Sequence, residues 1–364
     1  MGPVAIVGVG LMGGSLGLAL RSLDGVEVRG ADPEPEALRT ALDMGAIDVA
    51  CDSLEEVVRG ARAVVLAAPV PELPGLARRA LAAAPDDCVI TDIGSTKSGV
   101  LEALTPAERG RFIGGHPVCG GERTGVAFAR EGLFQGVTWF LTPGAEARSD
   151  LFGQLHALVV AVGARPVAID AGVHDHLMAL VSHLPHVLAG ALVNQAADTA
   201  PGGREALRSA GPSFTDLTRV AGSNPPLWAD ILLANSASVL DVLRDFTTRL
   251  GEVAAALGRH DREWLLGFVG DAADARERLR RAGEAGTAAP VRVLVAVPNR
   301  PGAISEIATA LGHAHINIED LSLRPGPPDG EGELVLVVGG ADAAREAVRL
   351  VGARGYRATA GGDV

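Results

Sequence analysis

The sequence predicts an α/β fold made of three parts: a mostly parallel sheet domain, an all-α domain, and a small βαββαβ domain. Three observations support this. Short apolar runs alternate with helical patterns over residues 1–171, long helical patterns nearly free of strand signals fill residues 172–282, and strands return over 291–364. Continuous apolar strands separated by helices are typical of a parallel sheet that is covered on both faces.

The first domain contains seven predicted strands, each a short run rich in apolar or β-branched residues. The glycine, proline and acidic residues between the runs separate strands from helices. The predicted strands are VAIVGV (4–9), EVRGAD (27–32), AVVLAAP (63–69), CVITDIG (88–94), RFIGGH (111–116), TWFLTP (138–143) and RPVAID (165–170).

The second domain, residues 172–282, reads as long helices. Some of these helices are apolar on nearly all sides, so we expect the helices to be buried, in part against a second copy of the chain in a homodimer. Residues 283–290, GEAGTAAP, are mostly small and read as a linker.

The last domain, residues 291–364, has the order βαββαβ, which predicts a ferredoxin-like sheet. The predicted strands are VRVLVAV (291–297), INIEDLSL (316–323), ELVLVVGG (333–340) and YRATA (356–360). The predicted helices lie between them, over 302–314 and 341–353.

Composition excludes several classes of protein. The net charge of −12 argues against a nucleic-acid surface. Without a basic leader or a run of 18 uncharged apolar residues, we expect a cytoplasmic protein with no membrane span. The cysteines Cys51, Cys88 and Cys119 are an odd number and lack metal-ligand spacing, so we expect no disulfide framework and no metal site.

The segment GVGLMGGS follows the first strand and opens a helix, with Gly8, Gly10 and Gly13 in the G-x-G-x-x-G pattern. This context predicts a Rossmann-like domain whose glycine loop and helix N-terminus bind a dinucleotide pyrophosphate. Asp32 ends the second strand, where a carboxylate binds ribose hydroxyls and repels a 2′-phosphate. The pattern therefore favours NAD over NADP, although Arg29 lies nearby in the sequence.

A histidine, His116, ends a predicted strand within IGGHPVCGGERTG. Ligands of open α/β sheets bind at strand ends, and an imidazole there can accept a proton near neutral pH. The preceding strand ends in TDIGSTK, which places Ser95 and Lys97 at the same edge. Lys97, the only lysine of the chain, either holds a substrate carboxylate or tethers the loop.

Two segments of the helical domain carry further candidates. VSHLPH places His183 and His186 on one helix face, and FTDLTRVAGSNPPLW contains Asp216, Arg219 and Trp228. An arginine suits bidentate carboxylate recognition, but a surface salt bridge between Asp216 and Arg219 is an equally good interpretation from these residues alone.

Taken together and in this order, GVGLMGGS, TDIGSTK, GGHPVCGGERTG, HDHLMALVSHLPH and DLTRVAGSNPPLWADI resemble bacterial prephenate dehydrogenases. The tail around VPNRPGAISEIATALGHAHINIEDL resembles an ACT domain, a ligand-sensing module. The resemblance implies NAD-dependent oxidative decarboxylation of prephenate to 4-hydroxyphenylpyruvate, in tyrosine biosynthesis.

The resemblance also implies roles for single residues. His116 matches the catalytic histidine, Ser95 the serine that orients the hydroxyl and the cofactor, and Arg219 the arginine that binds a substrate carboxylate. Further substrate-binding residues are His186, Lys97, Glu122, Asp216 and Trp228, and the cofactor-binding residues are Gly8, Gly10, Leu11, Met12, Gly13, Asp32 and Ser95.

The ACT resemblance suggests tyrosine, the pathway end product, as an effector. Its expected contacts are Asn299, Pro301, Gly302, Ala303, Asn317 and Ile318. A dimerisation module without a ligand is the alternative.

The sequence raises three alternative functions. Arogenate differs from prephenate only in its side chain, so an arogenate or dual-specificity enzyme stays open. β-Hydroxyacid dehydrogenases generally use a lysine in the helical part, and this chain has none after Lys97. A non-catalytic protein that senses NAD and an amino acid would not need His116, Ser95 and Arg219 together.

Overall fold

The computed structural model describes residues 2–121, 123–199, 207, 209–284, 290–298, 300, 302–314, 316–324 and 331–363. The chain forms two compact units. The first comprises Met1–Asp175 together with Ala289–Val364, and the second is His176–Ala288.

The first unit begins with a five-stranded parallel sheet in the order β3-β2-β1-β4-β5. Its strands are β1 Val4–Val7, β2 Val28–Ala31, β3 Val49–Cys51, β4 Ala63–Leu66 and β5 Val89–Asp92. The helices are α1 Leu11–Arg21, α2 Pro35–Asp43, α3 Leu54–Val57, α4 Leu73–Ala83, α5 Ser98–Glu102 and α6 Pro106–Arg109. The fully buried β1 and β4 explain the unbroken apolar runs of the sequence. The edge strand β3 escaped prediction because two of its three residues are exposed.

A smaller sheet follows, made of β6 Ile113–Pro117, β7 Thr138–Pro143 and β8 Arg165–Ala168, with helix α7 Ser149–Ala161 before β8. Strands β6 and β7 are antiparallel, whereas β7 and β8 are parallel. A single bridge between Ile90 and Phe112 brings β6 beside β5. The predicted mostly parallel α/β fold is therefore confirmed, with β6–β7 as the antiparallel pair.

The second unit is helical. After α8 Ala171–Met178 and a π-helical turn at Ala179–His183 come α9 Leu184–Thr199, α10 Pro212–Thr218, a 3-10 turn at Arg219–Gly222, α11 Pro225–Ala234, α12 Ser236–Gly258 and α13 Arg262–Glu284. Several large apolar side chains of this unit are exposed, among them Leu180, Val181 and Leu233. Burial within one chain therefore does not account for its apolar faces.

One helical run, Ala171–Asp198, is long and apolar enough by length and composition to cross a membrane, and 28% of its most apolar window is buried. The expectation of no membrane span relied on uninterrupted uncharged runs, and this run contains Asp175. Core helices of globular proteins meet the same length and hydropathy criterion, so this helix is weak evidence for a membrane.

The chain ends in the predicted βαββαβ domain. Its elements are β9 Pro290–Pro298, α14 Ala303–His313, β10 Ile318–Arg324, β11 Glu331–Gly339, α15 Ala341–Gly352 and β12 Arg357–Asp363. The strands form an antiparallel sheet in the order β10-β11-β9-β12.

This C-terminal domain packs against the small sheet of the same unit, with which it shares one apolar core. The Gly302 amide donates to the Ala147 carbonyl at 2.8 Å. A Cβ at Gly302 would lie 2.6 Å from the Ala145 carbonyl oxygen, and one at Gly312 only 1.6 Å from that of Ala168. Only glycine permits such backbone contacts, so both residues are required by the domain contact.

A buried histidine, His156, lies on α7 in this core. Its side chain packs beside Phe152, and neither ring nitrogen has a hydrogen-bond partner among the described residues. Burial lowers the pKa of His156 to about 4. Because the unfolded chain binds this proton first as the pH falls, His156 destabilises the folded protein between its unfolded pKa of 6.5 and about 4.

We expect His156→Phe to remove this acid sensitivity. Between pH 7 and pH 4 the variant should gain up to roughly 3 kcal/mol in free energy of unfolding relative to wild type, since each pKa unit corresponds to about 1.4 kcal/mol. Urea unfolding at both pH values measures the effect. A constant difference between the two proteins would show that the ring is not held neutral.

Candidate active site

The three glycines of the first loop have three different surroundings. Gly8 has a φ of +96°, and a Cβ there would lie 2.4 Å from the Ala67 carbonyl oxygen. A Cβ at Gly13 would lie 1.9 Å from the Gly8 carbonyl oxygen, whereas one at Gly10 would meet nothing within 4 Å. Gly8 and Gly13 therefore shape the loop and its packing, and Gly10 leaves its outer face open.

Helix α1 begins directly after this open glycine. Gly10 is its N-cap residue, no side chain caps the helix, and Leu11 and Met12 lie half-buried in the first turn. The amides of an uncapped first turn and the positive end of the helix dipole suit an anionic group.

Asp32 follows β2 and braces the same loop. One carboxylate oxygen accepts the Val9 amide at 2.8 Å, and the other accepts the Glu34 amide at 2.9 Å. Arg29 is engaged elsewhere, with Glu27 and with the Arg59 carbonyl at 2.8 Å. The carboxylate is therefore the charged side chain that the structure holds at the glycine loop.

His116 lies near the end of β6, half-buried and paired in register with Phe140 of β7. A Cβ at Gly115 would lie 2.5 Å from the Asp92 carbonyl oxygen, and one at Gly114 would lie 2.4 Å from Thr142 Oγ1. Both glycines therefore let β6 pack closely against its neighbours.

The loop that follows His116 reaches the glycine loop. A Cβ at Gly121 would lie 3.2 Å from Leu11 Cδ2, at the start of α1. The strand end that carries the imidazole and the helix end that suits an anion therefore belong to one region of the first unit.

Lys97 is buried, with a side-chain exposure of 0%. Its ammonium pairs with Asp92 and donates to the Gly115 carbonyl at 2.7 Å. Asp92 in turn accepts the amides of Gly115 at 3.1 Å and Gly94 at 3.0 Å. Burial lowers the pKa of Lys97, while Asp92 opposes that shift. Protein atoms surround the Lys97 ammonium, so of the two roles expected of this residue the structure favours a tether for the loop.

Two residues that the sequence did not single out contact this region. His116 Nδ1 lies 2.9 Å from His174 Nε2, and His174 Nδ1 lies 2.8 Å from Asp175 Oδ1. Asp175 accepts the amides of Lys97 and Ser98, both at 2.8 Å. The adjacent His and Asp in VHDH were the only signal, and helical periodicity does not pair them with a strand 58 residues away.

Ser95 lies half-buried in the loop between β5 and α5, next to Thr96 and two positions before Lys97. The loop is fixed on both sides of it, by Asp92 before and by the Asp175 carboxylate after. Ser95 therefore occupies a braced position at the edge where β5 ends.

Other predicted substrate residues lie in the second unit. His186 stacks on Trp228 with ring centroids 3.5 Å apart, and His183 contacts the edge of the same indole at 6.0 Å. Asn235 Nδ2 lies 3.1 Å from His183 Nδ1. Burial lowers the pKa of His186. The structure thus brings together two of the predicted residues, His186 and Trp228.

The remaining predicted polar residues are exposed or lie outside the described residues. Arg219 begins the 3-10 turn and Asp216 lies on α10, both with exposed side chains. Glu122 lies outside the described residues.

The predicted effector residues are buried, half-buried or outside the described residues. Asn299 and Pro301 lie outside the described residues, Asn317 is half-buried, and Ile318 is buried. Gly302 and Ala303 are buried. The Ala145 and Ala147 carbonyls occupy the space beside Gly302.

Three family models match the chain. They are "Prephenate dehydrogenase, nucleotide-binding domain" over residues 16–168, "Prephenate dehydrogenase, dimerization domain" over 170–270, and "ACT domain" over 291–353.

Curated relatives agree with these models. The chain is 33% identical over 324 residues to prephenate dehydrogenase of Bacillus subtilis, covering 88% of this chain and 87% of the relative. It is 32% identical to cyclohexadienyl dehydrogenase of Zymomonas mobilis, over 76% of this chain and 96% of that protein.

Among solved structures, prephenate dehydrogenase from A. aeolicus in complex with hydroxyphenyl propionate and NAD+ is 30% identical, with a TM-score of 0.72. The match covers 77% of this chain and 98% of that one. Synechocystis arogenate dehydrogenase is 25% identical, with a TM-score of 0.69, over 76% of this chain and 99% of that one.

We expect Lys97→Met to destabilise the first unit strongly, because it leaves the Asp92 carboxylate buried without its cation. Breaking such a pair costs about 3–5 kcal/mol of unfolding free energy. Arg79→Met is the matched control, since the Arg79–Glu55 pair is exposed and such pairs contribute about 0–1 kcal/mol. Denaturant unfolding of both variants measures the contrast, and equal stabilities would contradict a structural role for Lys97.

Proposed function

This chain belongs to the prephenate dehydrogenase family, and we propose that it oxidatively decarboxylates prephenate to 4-hydroxyphenylpyruvate with NAD. The observation that carries the proposal is the placement of His116 at a strand end whose following loop, through Gly121, meets the first residue of α1. A proton acceptor and a dinucleotide-binding helix end are the two components that this reaction needs.

The first loop fits a dinucleotide. Gly10 leaves its face open, the first turn of α1 is uncapped, and Asp32 follows β2. We propose that Gly8, Gly10, Leu11, Met12, Gly13 and Ser95 hold NAD, and that Asp32 binds its ribose hydroxyls. Arg29 is engaged by the Glu27 carboxylate and by the Arg59 backbone carbonyl rather than turned toward a 2′-phosphate, which favours NAD over NADP. When bound, NAD accepts the hydride that leaves ring carbon C4.

The side chains of the protein have to accept the hydroxyl proton, bind the charged substrate and orient it. His116 takes the proton of the C4 hydroxyl as the hydride leaves, and Ser95 orients that hydroxyl. Departure of the ring carboxylate as CO2 makes the ring aromatic, and the proton returns to the ring oxygen. Because aromatisation drives the reaction, orientation and a base of suitable pKa are the main requirements.

Prephenate is a dianion, and the protein carries a net charge of −12, so the binding site needs local cations. We propose that Arg219 binds a substrate carboxylate through its planar guanidinium and that His186, stacked on Trp228, contacts the substrate side chain. Asp216 and Glu122 are proposed to orient the arginine.

A second candidate, arogenate, is favoured by one observation: relatives include a cyclohexadienyl dehydrogenase at 32% identity and an arogenate dehydrogenase at 25%. The two substrates differ in a pyruvyl against an alanyl side chain, so few contacts decide between them.

The second unit matches a dimerization domain. We propose that a second copy of the chain covers its exposed apolar residues, including Leu180 and Val181. Such a dimer would act in the cytoplasm, without a membrane or nucleic-acid partner.

The C-terminal domain matches the ACT family, and we propose that it senses tyrosine. Gly302 and Ala303 can contact an effector only if the Ala145–Ala147 backbone moves away from them. Tyrosine would therefore act by weakening this contact, which continues into β7 and its partner strand β6.

The proposed function is tested by initial rates of NADH formation with prephenate and arogenate, each with NAD and NADP. We expect the highest kcat/KM with prephenate and NAD, and a lower rate on adding tyrosine. Turnover of arogenate alone would replace the substrate, and no turnover of either would contradict the enzymatic function.

Variants of His116 and Arg219 should separate chemistry from binding. His116→Asn removes the base, so kcat should fall by about 10²–10⁴ with little change in KM. Arg219→Ala removes a charge-assisted contact, so KM for prephenate should rise strongly. Steady-state kinetics measures both, and an unchanged kcat for His116→Asn or an unchanged KM for Arg219→Ala would refute the respective role.

A further inference from the structure

We propose that His174 and Asp175 are positioning residues that fix the tautomer of His116, so that the Nε2 lone pair of His116 faces the reacting hydroxyl. This inference rests on the proposed function for its catalytic meaning. The chain of contacts that carries it lies wholly within the first unit.

The tautomers of both histidines follow from Asp175, the buried carboxylate at the end of this series of hydrogen bonds. The two Asp175 oxygens accept the amides of Lys97 and Ser98, an arrangement that favours the ionised carboxylate. An ionised carboxylate is an acceptor only, so the His174 Nδ1 that lies 2.8 Å away carries a proton and donates it. The buried Asp175 carboxylate thereby determines which nitrogen of the next ring is protonated.

The same logic extends to His116. Burial of the His174 ring favours its neutral form, and a neutral imidazole that carries its proton on Nδ1 accepts at Nε2. His116 Nδ1, at 2.9 Å, must then be the donor, which leaves the lone pair on His116 Nε2. Asp175, two side chains away, thus determines that His116 Nε2 is the acceptor which proton abstraction requires.

A charged His174 would reverse this order, and its surroundings oppose that state. Burial lowers the pKa of His174, and this outweighs the raising effect of its hydrogen bond to Asp175. The other charged groups facing the ring, Lys97 and Asp92, are paired with each other.

Aromatic packing fixes the two rings in place. The Phe140 ring meets His174 edge to face at 5.5 Å, and the His116 and His174 rings are inclined at 77°. Because Phe140 pairs with His116 across β6 and β7, one residue position supports both imidazoles.

During turnover His116 Nε2 binds the hydroxyl proton while Nδ1 keeps its own. The resulting imidazolium donates to neutral His174, whose Nδ1–H remains bonded to Asp175. No proton passes from His116 to His174 or from His174 to Asp175. The negative charge of Asp175 stabilises the His116 imidazolium through the intervening His174 ring.

The first test is Asp175→Asn. Its amide can turn an NH2 toward His174 Nδ1, which inverts both tautomers and leaves His116 Nε2 protonated. Replacing an acid by an amide in a comparable carboxylate–imidazole pair lowers kcat by about 10⁴, and we expect a fall of at least about 10² here, with KM for NAD unchanged. Asp170→Asn, an acid-to-amide change at the exposed N-terminus of the same helix, is the control and should keep wild-type kcat.

The second test replaces the middle ring. His174→Phe keeps an aromatic ring but offers no acceptor, so kcat should fall as in Asp175→Asn. His174→Gln returns an amide oxygen that can accept from His116 Nδ1, so part of the lost kcat should be recovered. His156→Phe, at another buried histidine of this unit, controls for the change of shape.

The tautomer itself can be observed without turnover. Long-range ¹H–¹⁵N correlation spectra of the wild-type protein, with the His116 signal identified through His116→Asn, should show His116 protonated at Nδ1 and bare at Nε2. Asp175→Asn should reverse this pattern.

The outcomes separate the two proposals. Absence of wild-type turnover with either substrate refutes the proposed function, while the spectra still test the tautomer. A wild-type His116 protonated at Nε2, or a kcat of Asp175→Asn within twofold of wild type, overturns the positioning role. If the variants fail to fold, the wild-type spectrum alone decides.

Discussion

The buried pair of Lys97 and Asp92 is the interaction on which the site depends. Asp92 ends β5 and Lys97 leads into α5, and together they bind both the amide and the carbonyl of Gly115 on β6. Removing either charge would leave the other buried without a partner, at a large cost in stability. The pair therefore fixes the end of β5, the start of α5 and β6 relative to one another. His116 is the next residue of β6 after Gly115, so this pair also positions its imidazole.

Close backbone approach is the second constraint, and it recurs at glycines throughout the first unit. Gly13 allows α1 to pack on its own loop, Gly115 allows β6 to approach β5, and Gly302 and Gly312 allow the C-terminal domain to approach the small sheet. In each case the volume of a single Cβ would separate the elements. The glycine-rich composition therefore has a packing cause besides the ligand-binding cause that the first loop suggests.

Prediction from sequence succeeded where the signal is local. The strands, the glycine loop around Gly10, and the order of the three domains follow from periodicity and turn chemistry over short windows. It missed β3, whose exposed edge carries no apolar pattern. It also missed His174 and Asp175, because their partners come from distant strands and loops, and it left two roles open for Lys97, whose burial it could not show.

The sequence by itself determined the fold class, the family and the candidate base His116, since these depend on patterns and motifs that are contiguous in the chain. Only the tertiary structure decided which charges are buried, which glycines serve packing, and that His116 is hydrogen-bonded to His174, which is in turn hydrogen-bonded to Asp175. The physical reason is that desolvation and hydrogen-bond partnership are properties of neighbours in space. Nothing in the spacing of residues along the chain specifies them.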